Sequence, residues 1–141
     1  MATSWITGVR LGKRRWEWTV LHRVKEAWVV DRKGCIVLGE GEGAEAAAVA
    51  EGRRVWKGWL ALGMGAGEVL LKVARLPSGD DEELRGMAEF QADRYSPWPM
   101  EEMGMGVERL RTDGEESLVA LAMAREEAVE AAGGAFQAAG V

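Results

Sequence analysis

The chain has 141 residues and a formal net charge of −5, which is enough for one domain or for two small subdomains that share a core. It contains one cysteine, Cys35, and one histidine, His22, so an intrachain disulfide and a zinc site of the usual composition are excluded. No apolar run approaches the ~20 residues of a membrane-spanning helix. Arg10, Lys13 and Arg14 interrupt any secretory signal pattern, so we expect a cytoplasmic protein.

The charge is unevenly distributed along the chain. Residues 1–33 carry eight Lys/Arg against three Asp/Glu, whereas the remainder carries ten against twenty. An excess of positive charge suits anionic lipid or nucleic acid. The basic residues alternate with apolar ones, however, which is typical of the solvated face of strands. We therefore expect no nucleic-acid binding.

The first half of the chain shows strand and turn patterns. We predict strands at 5–11, 16–21, 27–30 and 35–38, with turns at 12–15 and 31–34. The acidic loop 39–43 precedes an alanine-rich helix at 44–55 and a strand at 59–62. The glycine-rich segment Gly63–Gly67 lacks the GxGxxG spacing and the Lys-Ser/Thr pair of phosphate-binding loops. We predict that it is a hairpin turn.

The stretch 68–102 carries the strongest local signals. A short strand, 69–74, is followed by Asp80, which has the spacing of a helix N-cap relative to Glu83. The helix that follows has a predicted buried stripe, with Phe90 at its flank: Leu84, Met87, Ala88, Gln91 and Tyr95. Pro97 and Pro99 end this helix and hold Trp98 in an extended segment.

The C-terminal part predicts a hairpin and a helix. Strands at 105–111 and 117–124 flank Asp113-Gly114, which is a strong hairpin signal, and the run 118–124 is typical of a buried strand. A last helix is predicted at 125–139. From Trp59 onward the predicted order is ββαββα, which suits a small split βαβ-like subdomain.

The central stretch resembles a known family. Phe90-Gln91-Ala92-Asp93-Arg94-Tyr95, followed by Pro97-Trp98-Pro99-Met100, resembles the type IV pilus assembly protein PilM family, which is related to the cytoplasmic domain of GspL in type II secretion. The resemblance implies an α/β (mixed α+β) fold, with part of an actin-like, ribonuclease-H-like subdomain at 1–57 and a small inserted ββαββα subdomain at 58–141. Since the family continues into a second domain, we expect an N-terminal fragment, with a short paralogue as the alternative.

One segment departs from the family pattern. The resemblance implies an Asp-aliphatic-Gly nucleotide loop in the first hairpin, but this chain has Arg10, Gly12, Lys13 and Arg14 there. Magnesium in a nucleotide complex needs oxygen ligands, which an arginine does not supply. We interpret the segment as a degenerate nucleotide loop and expect no ATP or other cofactor, no metal, no catalytic residues and no enzymatic activity.

The resemblance also implies a function and partners. It predicts a non-catalytic cytoplasmic scaffold, peripheral to the inner membrane, of a type IV pilus or type II secretion assembly platform. The expected partner is the short cytoplasmic tail of a bitopic membrane protein of the PilN type; the assembly ATPase and a second copy of the chain are further candidates. We predict that the partner-binding residues are Phe90, Tyr95, Trp98 and Met100.

Three alternatives remain open from the sequence. In the first alternative the chain is a fragment of an actin-like ATP-binding protein, and in the second it is a plain ferredoxin-like binding domain outside the family. For Trp98, the competing interpretation is that it fills the gap between the two subdomains and contacts no partner.

Overall fold

The computed structural model describes residues 4–141 and shows two sheets and three α-helices. In chain order the elements are strands β1 (Trp5–Leu11), β2 (Arg15–Val24) and β3 (Ala27–Val37), helix α1 (Ala44–Gly52), strands β4 (Trp59–Gly63) and β5 (Val69–Leu76), helix α2 (Asp81–Tyr95), strands β6 (Met103–Asp113) and β7 (Glu116–Arg125), and helix α3 (Glu126–Ala138). They form two compact units, one of residues up to Gly65 together with 130–141, and one of residues 66–129. The predicted mixed α/β class is confirmed.

The first unit is built on a four-stranded sheet. Its order is β3-β2-β1-β4, with β4 parallel to β1 and the other pairs antiparallel. Because side chains alternate along a strand, one face collects the apolar residues Val9, Trp16 and Ile36. Ala48 and Val49 of α1 and Phe136 of α3 pack on this face, and the Phe136 ring stacks 5.2 Å from the Trp16 ring.

Strand β3 corrects one prediction from the sequence. Two short strands with a turn at 31–34 were predicted, but the chain stays extended from Ala27 to Val37. The register with β2 shifts so that Val20 faces Arg32 while Leu21 faces Val30, which leaves Asp31 as the extra residue of a β-bulge. Asp-Arg-Lys-Gly has turn-like composition, but cross-strand pairing with β2 outweighs that local preference.

The second unit consists of a three-stranded antiparallel sheet with the order β5-β7-β6. Helix α2 packs on one face, where Leu84 and Ala88 contact a buried cluster that includes Leu76, Val119 and Leu121. Strand β7 lies between its two neighbours, and its residues Val119, Leu121 and Met123 are fully buried. The prediction of a buried strand at 118–124 is confirmed.

The sequence predicts that the second subdomain begins at residue 58, but the boundary between the two units lies elsewhere in the structure. Strand β4 pairs with β1 in the first sheet, where Leu60 and Leu62 pack on the core, and does not form a hairpin with β5. The segment after β4 leads through a short 3₁₀ helix, Ala66–Glu68, into β5. Residues from Glu130 onward belong to the first unit. Local sequence does not distinguish a strand's partners, which is why the predicted hairpin at Gly63–Gly67 is wrong.

Candidate functional site

The start of α2 is fixed by a network of hydrogen bonds. The Asp80 carboxylate accepts a hydrogen bond from the Glu83 backbone N–H at 3.1 Å, as its N-cap position predicts. The Ser78 hydroxyl donates to the Glu83 carboxylate at 2.6 Å, and its oxygen accepts from the Asp80 N–H. The Arg109 guanidinium donates to the Gly79 carbonyl and pairs with Asp81. These contacts set the direction in which α2 crosses the sheet.

Helix α2 buries a narrower face than its sequence predicts. Leu84, Ala88 and Ala92 are buried, and Met87 is half-buried. Tyr95 was predicted to be largely buried, but it is exposed, so that prediction is wrong. Its ring lies at the end of the helix, beside the edge strand β5, where the Lys72 ammonium sits 4.5 Å from the ring centroid in a cation–π contact.

The segment that leaves α2 is held in one conformation. The Ser96 hydroxyl donates to the Trp98 carbonyl at 2.8 Å and accepts from the Trp98 N–H at 3.0 Å. The half-buried side chains of Trp98 and Met100 pack against a cluster of the second unit: Ala92, Met103 and Met123. Trp98 therefore serves as packing for the second unit through at least part of its surface.

The structure does not bring all four predicted partner-binding residues together. Tyr95, Trp98 and Met100 lie along one short segment at the end of α2. Phe90 is exposed and, at 100° per residue, lies on the side of the helix away from the buried positions Leu84 and Ala88. If Tyr95 marks a binding surface, Phe90 belongs to a different face of the helix.

The second sheet has an exposed apolar surface that was not predicted from the sequence. Leu71 and Val73 on β5 are 73% and 62% exposed, on the face opposite α2. Leu71 pairs with Ala122 and Val73 pairs with Ala120, so the surface continues onto β7. We call this surface the open face; it comprises Leu71, Val73, Leu118, Ala120 and Ala122.

A signal for the open face is present in the sequence of β7. Residues Leu118–Ala124 are apolar at every position, whereas a strand with one solvated face alternates with polar residues. Such a strand is expected to have both faces covered. Helix α2 covers one face, and on the other face the neighbouring β5 side chains Leu71 and Val73 remain exposed.

The degenerate nucleotide loop forms the turn between β1 and β2. Arg10 is exposed at the end of β1 and pairs with the Glu17 carboxylate at 3.2 Å, so its charge is partly neutralised. A Cβ atom on Gly12 would lie 2.5 Å from the Arg15 carbonyl oxygen, which explains the need for glycine in this turn. Lys13 lines a groove with the loop 39–43, and the acidic residues Glu42 and Glu45 line the same groove.

The titratable groups and potential metal ligands of residues 4–141 add little to the description of the site. The Asp31 carboxylate accepts a hydrogen bond from Arg32 at 2.8 Å, and this bond holds the pKa of Asp31 below its usual range. Within residues 4–141, no group of three or more His, Cys, Asp or Glu side chains has a geometry that would hold a metal ion. None of the helices in the described range is both long and apolar enough to cross a membrane.

Comparisons with known proteins place this architecture among solved folds. No protein-family model and no curated protein matches the chain. A chain of the PilM-PilN type IV pilus biogenesis complex matches with a TM-score of 0.77 and 20% identity, covering 96% of this chain and 45% of that chain. The cytoplasmic domain of EpsL, an inner-membrane component of the type II secretion system of Vibrio cholerae, matches with a TM-score of 0.59 and 18% identity, covering 97% of this chain and 54% of that chain.

These two matches bear on the resemblance noted from the sequence. The chain spans about half the length of each solved structure. At this level of identity the likeness concerns the fold. The fold expected from the PilM-like and GspL-like resemblance is therefore confirmed: this chain has the architecture found in the PilM-PilN complex and in the cytoplasmic domain of EpsL.

Proposed function

We propose that this protein is a non-catalytic scaffold of a type IV pilus or type II secretion assembly platform, and that it binds the short tail of a bitopic inner-membrane protein of the PilN type. The two solved structures described above come from such machines, which supports an assembly role. The observation that carries the binding proposal is the open face, with Leu71 and Val73 exposed on an edge strand.

The binding mode that suits this surface is addition of a strand to β5. In the described part of the chain, β5 pairs on one side only, with β7, so the backbone groups of its other side are free to pair with an extended peptide. Side chains of the added strand that point to the open face would contact Leu71 and Val73. Those on the other face would reach Tyr95, whose ring is already positioned beside Lys72.

The segment that follows α2 is held in one conformation next to this surface. Because the Ser96 hydroxyl and two prolines fix the backbone of Trp98, little conformational entropy is left to lose when a partner binds. Trp98 and Met100 pack against the cluster of Ala92, Met103 and Met123 near the end of the helix that carries Tyr95. Tyr95 is the aromatic anchor in this proposal, and Trp98 and Met100 are positioning residues.

A direct test uses labelled synthetic peptides that correspond to the cytoplasmic tails of PilN-type proteins from the same organism, with binding followed by fluorescence anisotropy. Val73→Ser should weaken binding by ~10-fold or more, as loss of an interface hot spot does. The matched control is Val37→Ser, which makes the same change at an exposed site on β3. Equal affinities for wild type and Val73→Ser would refute the proposed surface, and weakening by Phe90→Ala alone would assign the site to the other side of α2.

The alternative, an actin-like ATP-binding fragment, is tested separately. We propose that the chain does not bind ATP, since Arg10 stands where the resemblance implies an aspartate and Glu42 and Glu45 place negative charge beside Lys13. Calorimetry with ATP should give no magnesium-dependent binding in the micromolar range. Such binding, abolished by Lys13→Gln, would favour the alternative.

A further inference from the structure

The hairpin formed by β2 and β3 ends in a cluster of exposed apolar side chains. We call residues 21–33 the hairpin tip. Within it Val24 is 46%, Trp28 41%, Val29 49% and Val30 54% exposed, although valine and tryptophan are usually buried in sheets. None of these four side chains contributes to the buried core of the first unit. The fold of the first unit therefore gives no account of why they are apolar.

The register of the hairpin places these side chains on both of its faces. On one face Val30 lies opposite Leu21, and Trp28 lies opposite Arg23. On the other face Val29 lies opposite His22, and Val24 lies opposite Ala27. A flat protein surface covers one face of a hairpin, whereas the interfacial layer of a lipid bilayer surrounds an inserted tip. The two-sided pattern therefore favours a lipid surface over a flat protein surface.

The charges at the hairpin tip indicate which lipids it would meet. Arg23, Lys25, Arg32 and Lys33 carry positive charge against Glu26 and Asp31, and the Asp31 carboxylate is paired with Arg32 at 2.8 Å. Lys25 occupies the turn itself, with a φ of 57° that non-glycine residues rarely adopt. The tip thus presents a net positive charge on a chain whose net charge is −5.

We propose that the hairpin tip docks into the headgroup region of an anionic lipid bilayer. Trp28 and the three valines enter the boundary between headgroups and acyl chains, where tryptophan is favoured because its ring is apolar and its N–H is polar. Lys25, Arg32 and Lys33 contact anionic headgroups. Nucleic acid is a poorer ligand for this surface, since valine side chains neither stack on bases nor pair with phosphates. The proposal is independent of the tail-binding function, because it concerns different residues in the other unit.

The test is sedimentation of the full chain with vesicles of phosphatidylcholine and of phosphatidylcholine mixed with phosphatidylglycerol. We expect binding to the mixed vesicles that is ~10-fold tighter than to the neutral ones and that weakens with salt. The double variant R32Q/K33Q should weaken binding by ~25-fold, at about five-fold for each charge removed. Trp28→Ser should weaken it by roughly 10-fold, because it removes the interfacial anchor.

Two matched controls separate docking from general attraction. K13Q/R14Q removes the same charge from the β1–β2 turn, at the opposite end of β2, and Trp59→Ser removes an exposed tryptophan from β4; both should bind vesicles as wild type does. Thermal unfolding of each variant identifies any that are misfolded, and Trp28→Phe provides a milder change at the same position. Absence of binding to mixed vesicles at low salt would overturn the proposal. So would equal weakening by K13Q/R14Q, or binding of an oligonucleotide or of a second copy of the chain through the tip in place of lipid.

Discussion

Leu84 holds α2 to the second sheet, and its truncation tests the packing of the unit that carries the open face. Its side chain is 3% exposed and packs with Leu76, Val119 and Leu121. Leu84→Ala removes three buried carbon groups, which at ~0.8 kcal/mol each gives about 2.4 kcal/mol. The cavity left beside β7 adds to this loss, because a sheet strand between two neighbours cannot move far to fill it. We expect a total of ~3 kcal/mol, within the ~2–5 kcal/mol range of such truncations.

The assay is urea denaturation followed by far-UV circular dichroism, with the slope of the transition compared between variants. Phe90→Ala is the matched control, since it removes a larger apolar group from the same helix at a position that is 67% exposed. It should change the free energy of unfolding by ~0.5 kcal/mol or less. A loss below ~1 kcal/mol for Leu84→Ala, or equal losses for the two variants, would refute the packing described.

Four further predictions follow from named contacts. Trp98→Ala should destabilise the second unit by ~1–3 kcal/mol, because its half-buried side chain packs against the cluster that contains Met103 and Met123. A chemical denaturation curve that matches wild type would contradict this. Gly58→Ala should lower the free energy of unfolding more than Gly43→Ala does. Both sites have a positive φ, but only at Gly58 would an added Cβ atom meet the backbone, 1.9 Å from the Trp5 carbonyl oxygen. Denaturation curves of the two variants measure the difference. Arg32→Ala should raise the pKa of Asp31 toward its usual range, as measured by NMR titration. Because the pKa is lowered in the folded state, the stability that this pair contributes is present at neutral pH and is lost as the pH falls through the lowered pKa. We also expect self-association at high concentration through an unpaired edge strand, and light scattering that shows only monomer would count against it.

The sequence predicts well those features that local chemistry decides. The N-cap at Asp80, the end of α2 before Pro97 and the hairpin between β6 and β7 depend on residues adjacent in the chain, and each lies where the pattern indicates. The PilM-like segment predicts the fold class, which the structural matches confirm. Predictions of this kind succeed because the energies that favour a cap or a tight turn do not depend on the rest of the sheet.

The features that the sequence does not predict depend on sheet order. Nothing in Trp59–Gly63 indicates that this strand pairs parallel with β1, so the predicted hairpin with β5 is wrong. Tyr95 is exposed because it lies beside an edge strand. Leu71 and Val73 are exposed because α2 covers only the opposite face of the second sheet. A helical or alternating pattern identifies which residues share a face, but the neighbouring elements determine whether that face is covered.

The two proposed surfaces differ in chemistry in a way that matches their proposed partners. The open face is apolar around Leu71 and Val73, with Arg75 beside Leu118 at one end, and it has a free strand edge beside it, which suits an extended peptide. The hairpin tip combines apolar and basic residues on both faces, which suits an anionic lipid surface. A scaffold already held at the bilayer meets the tail of a membrane protein at a high effective concentration, so a weak contact at the open face would be sufficient for assembly. Val73→Ser should therefore weaken tail binding equally with and without vesicles, whereas Trp28→Ser should weaken it only when the tail is anchored in them.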